Sequence, residues 1–306
     1  MTIDREDPLP NFTTGLACGL VAALIWGAWP VASRFGVQQS LNVYDITALR
    51  FVVAGAVLLP FLMKRGLQGV GLGRAMVLTA GAGVPYVLAA IGGLSYAPAS
   101  HAGVITPSTM LVVSTLGGWL LLGERPNCAR MTGTLIIIAG VAMIGWKSLA
   151  AGGADLWVGH LLFMTAGILW AIYTIAARAW SIDPVRSTAL VSVFSMIFFL
   201  PAYAIFGDGA LWRAPISEVV FQGIFQGIFA SILALLFYTR AIAVFGAGRS
   251  AVFATLVPGI AVLMAYPVLG EKPGASEIVG AAAVTIGMVW ALGLIRRRQV
   301  APSAAG

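Results

Sequence analysis

The chain has 306 residues, of which 59% are hydrophobic and 9% charged, with a mean hydropathy of +0.95 and a formal net charge of +7. That balance cannot cover a water-facing surface, so the sequence is that of an integral membrane protein. The basic residues stand singly between apolar runs and form no basic face interleaved with aromatics, which excludes nucleic-acid recognition; Cys18 and Cys128 have no CxxC spacing and indicate neither a disulfide framework nor a metal site.

A hydrocarbon core of about 30 Å takes roughly 20 apolar residues per helix. The start of the chain is acidic and proline-bearing (Asp4, Glu6, Asp7), without a basic leader or a clear cleavage box, so the first apolar run reads as a retained helix. Breaking the sequence at charged and Gly/Pro-rich stretches gives spans near 13–33, 44–63, 73–95, 101–122, 130–149, 157–179, 186–206, 218–244, 250–269 and 276–295. The run 218–244 is long enough to tilt or kink. The reading is an all-α membrane protein of ten spans. With an even count both termini share a side, and that side collects Arg5, Lys64, Arg65, Arg74, Arg125, Arg130, Arg178, Arg186, Arg240, Arg249 and Arg296 to Arg298. The other side holds Arg34, Lys147, Arg213 and Lys272. The positive-inside rule then expects both termini in the cytoplasm. Trp146, Trp157 and Trp212 fall at expected outer boundaries and read as interface anchors.

The chain repeats itself. Leu122-Gly123-Glu124-Arg125-Pro126 matches Leu269-Gly270-Glu271-Lys272-Pro273 at a shift of 147, and Gly133 and Gly140 meet Gly280 and Gly287 at the same shift. Trp26, Trp29 and Arg34 meet Trp170, Tyr173 and Arg178 at 144, and Thr47-Ala48-Leu49 with Pro60 meets Thr188-Ala189-Leu190 with Pro201 at 141. Five helices followed by five similar ones is the simplest reading. It divides the chain into a tail, 1–12, a first repeat, 13–149, a second repeat, 150–295, and a basic tail, 296–306. Because five is odd, the second repeat enters the membrane from the opposite side, and such inverted repeats suit alternating access around a midplane site.

These residues resemble the EamA-type, ten-helix branch of the drug/metabolite transporter superfamily, and within it the YddG-like amino-acid exporters. The resemblance rests on the two Leu-Gly-Glu-basic-Pro motifs in register, the Leu-x-Trp region of the first helix and Arg50-Phe51 in the second, and spans about Gly15 to Leu294. It implies a secondary transporter, not an enzyme, exporting small metabolites across a bacterial inner membrane without a cofactor. One departure is that Leu190-Val191 stands where the second half would repeat Arg50.

No phosphate-binding Gly-x-x-x-x-Gly-Lys-Ser/Thr loop exists, so direct ATP coupling by this chain is not expected. Glu124 and Glu271 each follow a helix-terminal glycine and serve either as helix stops or as gate or coupling groups. Arg50, about 9 Å below the outer surface, either snorkels or pairs, Asp45 being a possible partner though not at ideal helical spacing, or contacts substrate or a gate. His101, at the head of the fourth span, either caps the helix or responds to substrate or pH, whereas His160 has no polar company in sequence and reads as an interface residue.

The pocket candidates are aromatic and hydroxyl residues deep in the spans: Trp26, Trp29, Tyr86, Thr109, Trp170, Tyr173, Phe229, Ser231, Tyr238 and Thr255. Helix breaks are expected near Pro85, Pro107 and Pro258, where freed carbonyls can line a cavity. Such a lining suits small, neutral or zwitterionic, partly apolar solutes such as amino acids; the alternative is a broad-specificity exporter of drugs or other organic solutes. The small-residue pairs Gly15/Gly19 and Gly223/Gly227 serve either packing within the chain or a dimer, and a functional monomer is expected.

Overall fold

The computed structural model describes residues 12–67, 69–150 and 155–294, apart from the side chains of 147–150. The tail residues, Arg5, Arg296 to Arg298 and the Lys147 side chain therefore lie outside the described residues. The helices in chain order are α1 (Phe12–Gln38), α2 (Val43–Arg65), α3 (Leu72–Leu94), α4 (Ala99–Leu122), α5 (Cys128–Ala150), α6 (Leu156–Ala179), α7 (Pro184–Phe206), α8 (Ile216–Phe245), α9 (Ala247–Leu269) and α10 (Ala275–Ala291). A single turn, Ala210–Arg213, precedes α8. Among the described residues nine helices are long and apolar enough to cross a membrane. The tenth, α10, is a shorter apolar helix of 17 residues, about 26 Å at 1.5 Å per residue.

Local chemistry sets the helix ends. Asn42 caps α2, its side-chain oxygen accepting from the amides of Tyr44 and Asp45 at 2.8 and 2.9 Å, while the Asp45 carboxylate accepts from the Asn42 amide at 2.8 Å. The paired Leu-Gly-Glu motifs are explained at their glycines. Gly123 and Gly270 both adopt φ of 70°, the left-handed turn that closes α4 and α9 and that a side chain disfavours. One expected end moves: α1 continues through Arg34 to Gln38 because Arg34 turns inward to protein partners instead of stopping the helix at the surface.

Three helices depart from regular α geometry. α3 breaks at Gly83, two residues before Pro85, and α9 is interrupted at Leu256, two before Pro258. α8 winds as a π-helix over Gly223–Leu233, the form taken by its expected irregularity. α4, in contrast, runs unbroken through Pro107.

Packing repeats under a shift of five helices. α1 lies on α8 and α9, and correspondingly α6 lies on α3 and α4; α2 pairs with α7 and α5 with α10, each with its own counterpart. This is the contact pattern of two five-helix repeats related by a pseudo-two-fold axis, with inversion following from the odd number of crossings. The registers alternate accordingly. Gly133 faces Gly287 while Gly140 faces Gly280, an antiparallel crossing of α5 and α10, whereas Gly27 against Ile260 and Arg34 against Glu271 make α1 and α9 parallel. At the α5–α10 crossing a Cβ on Gly140 would stand 2.8 Å from the Gly280 carbonyl oxygen, and one on Gly280 2.8 Å from that of Gly140. Backbone-to-backbone approach is what those glycines permit. Gly15 packs on Val244 and Gly227 on Val53, so these small-residue sites are spent inside the chain.

Candidate functional site

The third helix of the second half, α8, brings two glutamines into the apolar interior. Gln222 and Gln226 are fully buried beside α1. Gln222 donates to the Ala32 carbonyl at 2.7 Å, in space left by Gly36, where a Cβ would fall 2.6 Å from the Gln222 amide nitrogen. Gln226 donates to Ser33 Oγ at 2.9 Å and to Gln222 Oε1 at 3.1 Å, while its own Oε1 accepts from Trp29 Nε1 at 2.7 Å. The π-helix that sets this register leaves the Gln226 carbonyl to Ser231 Oγ at 2.7 Å.

Arg50 of α2 meets this ladder from the other side. Its side chain is 8% exposed, so it does not snorkel to the surface. One terminal nitrogen stands 3.5 Å from Gln226 Oε1, and the guanidinium carbon lies 5.7 Å from the Trp29 ring centroid. Among the described residues no carboxylate pairs with it, and its Nε has no hydrogen-bond partner. Asp45, the expected partner, is engaged elsewhere: it caps α2 and accepts the Tyr203 hydroxyl of α7. Five residues along a helix turn the two side chains apart.

From Trp29 a line of rings crosses between the halves. Trp29 stacks with Tyr86 at 6.1 Å and 15°, Tyr86 tilts on Trp170 at 4.7 Å, and Trp170 on Tyr173 at 5.4 Å. Tyr86 sits just beyond the break at Gly83, which ends one helical segment and starts the next beside the rings. The line opens onto a cavity of about 270 Å³ lined by Tyr173, Thr174, Ala177, Arg178, Ser181, Ile182, Pro184 and Ser187. Ser187 Oγ bonds the Tyr173 hydroxyl at 2.9 Å.

Four of the ten expected pocket residues, Trp29, Tyr86, Trp170 and Tyr173, thus meet in one array with Arg50. The others stand apart from it. Trp26 and Tyr238 form their own ring pair at 5.1 Å. Thr109 packs on Gly167 where α4 crosses α6, and the hydroxyls of Ser231 and Thr255 are spent on backbone carbonyls. Phe229 is exposed in a stripe with Phe221 and Phe225.

Each repeat motif glutamate reaches an arginine of the other half. Glu271 at the end of α9 pairs with Arg34 at the end of α1, and Glu124 at the end of α4 pairs with Arg178 at the end of α6. The residues match at the sequence shifts of 147 and 144, so this is one contact made twice, at opposite ends of the bundle. The two copies differ in tightness. Arg34 and Glu271 are 18% and 14% exposed; Arg34 also donates to the Leu94 and Ala97 carbonyls and Glu271 accepts from the Ala99 amide at 3.0 Å. Arg178 and Glu124 are 45% and 37% exposed, and Arg178 borders the open cavity. The first pair is tightly held and the second loose.

His160 corrects the expectation of an isolated interface residue. Its Nε2 lies 2.8 Å from Nδ1 of His101, whose Nε2 is 3.2 Å from Glu277 Oε1.

The EamA-like transporter family matches this chain twice, over residues 13–146 and 157–293. The chain belongs to that family. Its relatives are named as transporters. The uncharacterized transporter YetK of Bacillus subtilis is 26% identical over 302 residues, covering 93% of this chain and 88% of its own length. The aromatic amino acid exporter YddG of Ancylobacter novellus is 26% identical over 212 residues, 65% of this chain and 72% of that one. A crystal structure 23% identical in sequence superposes with a TM-score of 0.62 over 94% of this chain and all of the other, a likeness of fold.

Sequence reasoning missed Gln222 and Gln226. Each is a lone amide in an apolar run, and the signal that could have found them is that such a residue needs a polar partner at membrane depth.

Proposed function

We propose that this membrane transporter exports small amino-acid-like solutes, aromatic ones included, across a bacterial inner membrane by alternating access, as a monomer with both termini in the cytoplasm. The observation that carries the substrate class is Arg50: a buried guanidinium without a carboxylate partner among the described residues, set against Trp29 and Gln226 and next to the ring line. A solute carboxylate supplies the missing charge, since a buried unpaired cation is costly and a charge-assisted bond to it is strong. The rings of Trp29, Tyr86, Trp170 and Tyr173 then accept an apolar or aromatic side chain. The name of the Ancylobacter relative favours the same class. Cationic drugs fit poorly beside an uncompensated arginine, which weighs against the broad-specificity alternative.

With the basic end in the cytoplasm, the loose Arg178–Glu124 pair and its cavity face inward and the tight Arg34–Glu271 pair closes the outside. Solute enters from the cytoplasm along Tyr173 and Trp170. Exchange of the two pairs between tight and loose then exposes it outside.

The test is uptake and counterflow of labelled phenylalanine, tryptophan and a small polar amino acid in proteoliposomes, beside the decarboxylated amines of the first two. Saturable movement of the amino acids and not of the amines is expected. Loss of one charge-assisted hydrogen bond is worth about 1.5–3 kcal/mol, so Arg50→Gln raises the half-saturation concentration roughly 10- to 150-fold. Amines moving as well as amino acids, or an unchanged half-saturation in Arg50→Gln, overturns the reading.

A further inference from the structure

His101, His160 and Glu277 come from three helices, α4, α6 and α10, and from both halves of the chain. All three lie within five residues of their helix starts, at the sealed end of the bundle. His101 is 3% exposed with both ring nitrogens engaged, His160 Nε2 at 2.8 Å and Glu277 Oε1 at 3.2 Å. Glu277 is 25% exposed and so reaches water. The approach is built by small residues, because Gly159 beside His160 packs on Ala97 and on the Gly93 carbonyl, 2.9 Å from a Cβ placed there.

The chemistry of this row is that of a proton site. With both imidazoles neutral and Glu277 ionised the cluster carries one negative charge; one added proton neutralises it, which a weakly polar surrounding favours. An imidazolium at His101 faces the Glu277 carboxylate through Nε2, an ion-pair contact at 3.2 Å, and donates from Nδ1 to His160 at 2.8 Å. A second added proton would place N–H groups face to face across the 2.8 Å gap and break the row. The cluster is therefore suited to hold one proton and to pass it between Glu277, at the water edge, and His160.

The surrounding charges do not substitute for it. Arg34 and Glu271 are committed to one another and to the α3–α4 connection, with Glu271 holding the Ala99 amide two residues from His101. Tyr96 on that connection, Asp155 at the head of α6 and Lys272 between α9 and α10 are exposed. The Lys147 side chain lies outside the described residues. The site also has no copy at the other end: the sequence shifts of 147 and 144 carry His101 to Gly248, Glu277 to Arg130 and His160 to Leu16.

We infer that His101, His160 and Glu277 form a proton-binding site at the outer closure, whose proton holds α4 to α6 and α10 in the sealed state and so sets how readily the outer end opens. This rests on the transporter reading above and adds a control on it. When α4 leaves α6 and α10 on outward opening, the row is cut and its proton passes to the outside water; on resealing, the row takes up a proton from the same side.

Two measurements test it, one independent of any solute. In the purified protein with ¹⁵N-labelled imidazoles, the His101 and His160 resonances are expected to titrate together as one coupled pair, and Glu277→Gln to displace both. Independent titration, or no effect of Glu277→Gln on either ring, overturns the site. In proteoliposomes, gradient-free amino-acid counterflow is expected to slow as the pH falls, because the protonated row holds the outer end closed. Glu277→Gln and His160→Gln should lose that pH response while retaining counterflow, which also reports that they fold. Wild-type counterflow that does not change with pH overturns the closure role. If no amino acid moves while the coupled titration is present, the substrate reading falls and the proton site stands.

Discussion

Glu271→Gln leaves an acceptor for the Ala99 amide but removes the charge that holds Arg34, so it isolates the ion pair of the sealed end. Arg34 stays where it is, tied to the Leu94 and Ala97 carbonyls, 18% exposed and without its counter-charge. Breaking a buried pair from one side costs about 3–5 kcal/mol, and because this pair still touches water the lower figure applies. About 3 kcal/mol changes the balance between sealed and open states roughly 160-fold. The corresponding pair at the other end, 45% and 37% exposed, is worth at most about 1 kcal/mol. Glu124→Gln therefore shifts the balance less than about fivefold, and in the opposite sense, since loosening the inner end favours the state sealed outside. Ser100, 3% exposed behind the tight pair, is the reporter. With Cys18 and Cys128 replaced by serine, a cysteine at position 100 is labelled by a membrane-impermeant maleimide in proportion to the open population. Labelling about a hundredfold faster in Glu271→Gln, and no faster in Glu124→Gln, is expected. Equal rates in the two variants refute the claim that the twin contacts differ in tightness.

Other substitutions test the packing. Gly140→Val forces a side chain onto the Gly280 carbonyl, 2.8 Å from the first added carbon, and should cost about 1–3 kcal/mol, read as a lower melting temperature in detergent. Ser195 is buried against Gly83 with no hydrogen-bond partner for its hydroxyl, so Ser195→Ala should leave thermal stability unchanged or raise it.

The helices and their pairing are legible in the sequence because hydropathy and small-residue spacing are local. The runs near 13–33 and 44–63 correspond to α1 and α2, and the matched spacing of Gly133 and Gly140 with Gly280 and Gly287 marks the two faces that meet where α5 crosses α10. What is not legible depends on partners distant in sequence. His160 reads as isolated because His101 is 59 residues away, and Trp29 gives no sign of an acceptor 197 residues on. Asp45, five residues before Arg50, is a possible but ill-spaced partner in sequence, and the fold gives it to Tyr203, 158 residues away. The π-helix is hidden for a different reason: Gly223 to Leu233 has a composition compatible with ordinary helix.

The two halves share their packing but not their polar chemistry, and the difference is where function resides. On the proposed alternating access, one Arg–Glu contact, made twice across the repeats, gives two closures of the same design at opposite ends, and a motion that tightens one under the pseudo-two-fold loosens the other. Symmetry cannot orient a solute, because a site with two equivalent anchors binds it either way round. Arg50 breaks that equivalence, since Leu190 and Val191 occupy the matching region of α7 and the Gln222–Gln226 ladder is present on α8 alone. On the proposed substrate class, one carboxylate anchor on one side of a line of rings fixes which end of an amino acid points where. The same asymmetry leaves a His–His–Glu row at one closure and glycine, leucine and arginine at the other. On the proposed function, the shared fold supplies the reciprocating movement, and the residues that depart from the repeat set what is carried and when the outer end opens.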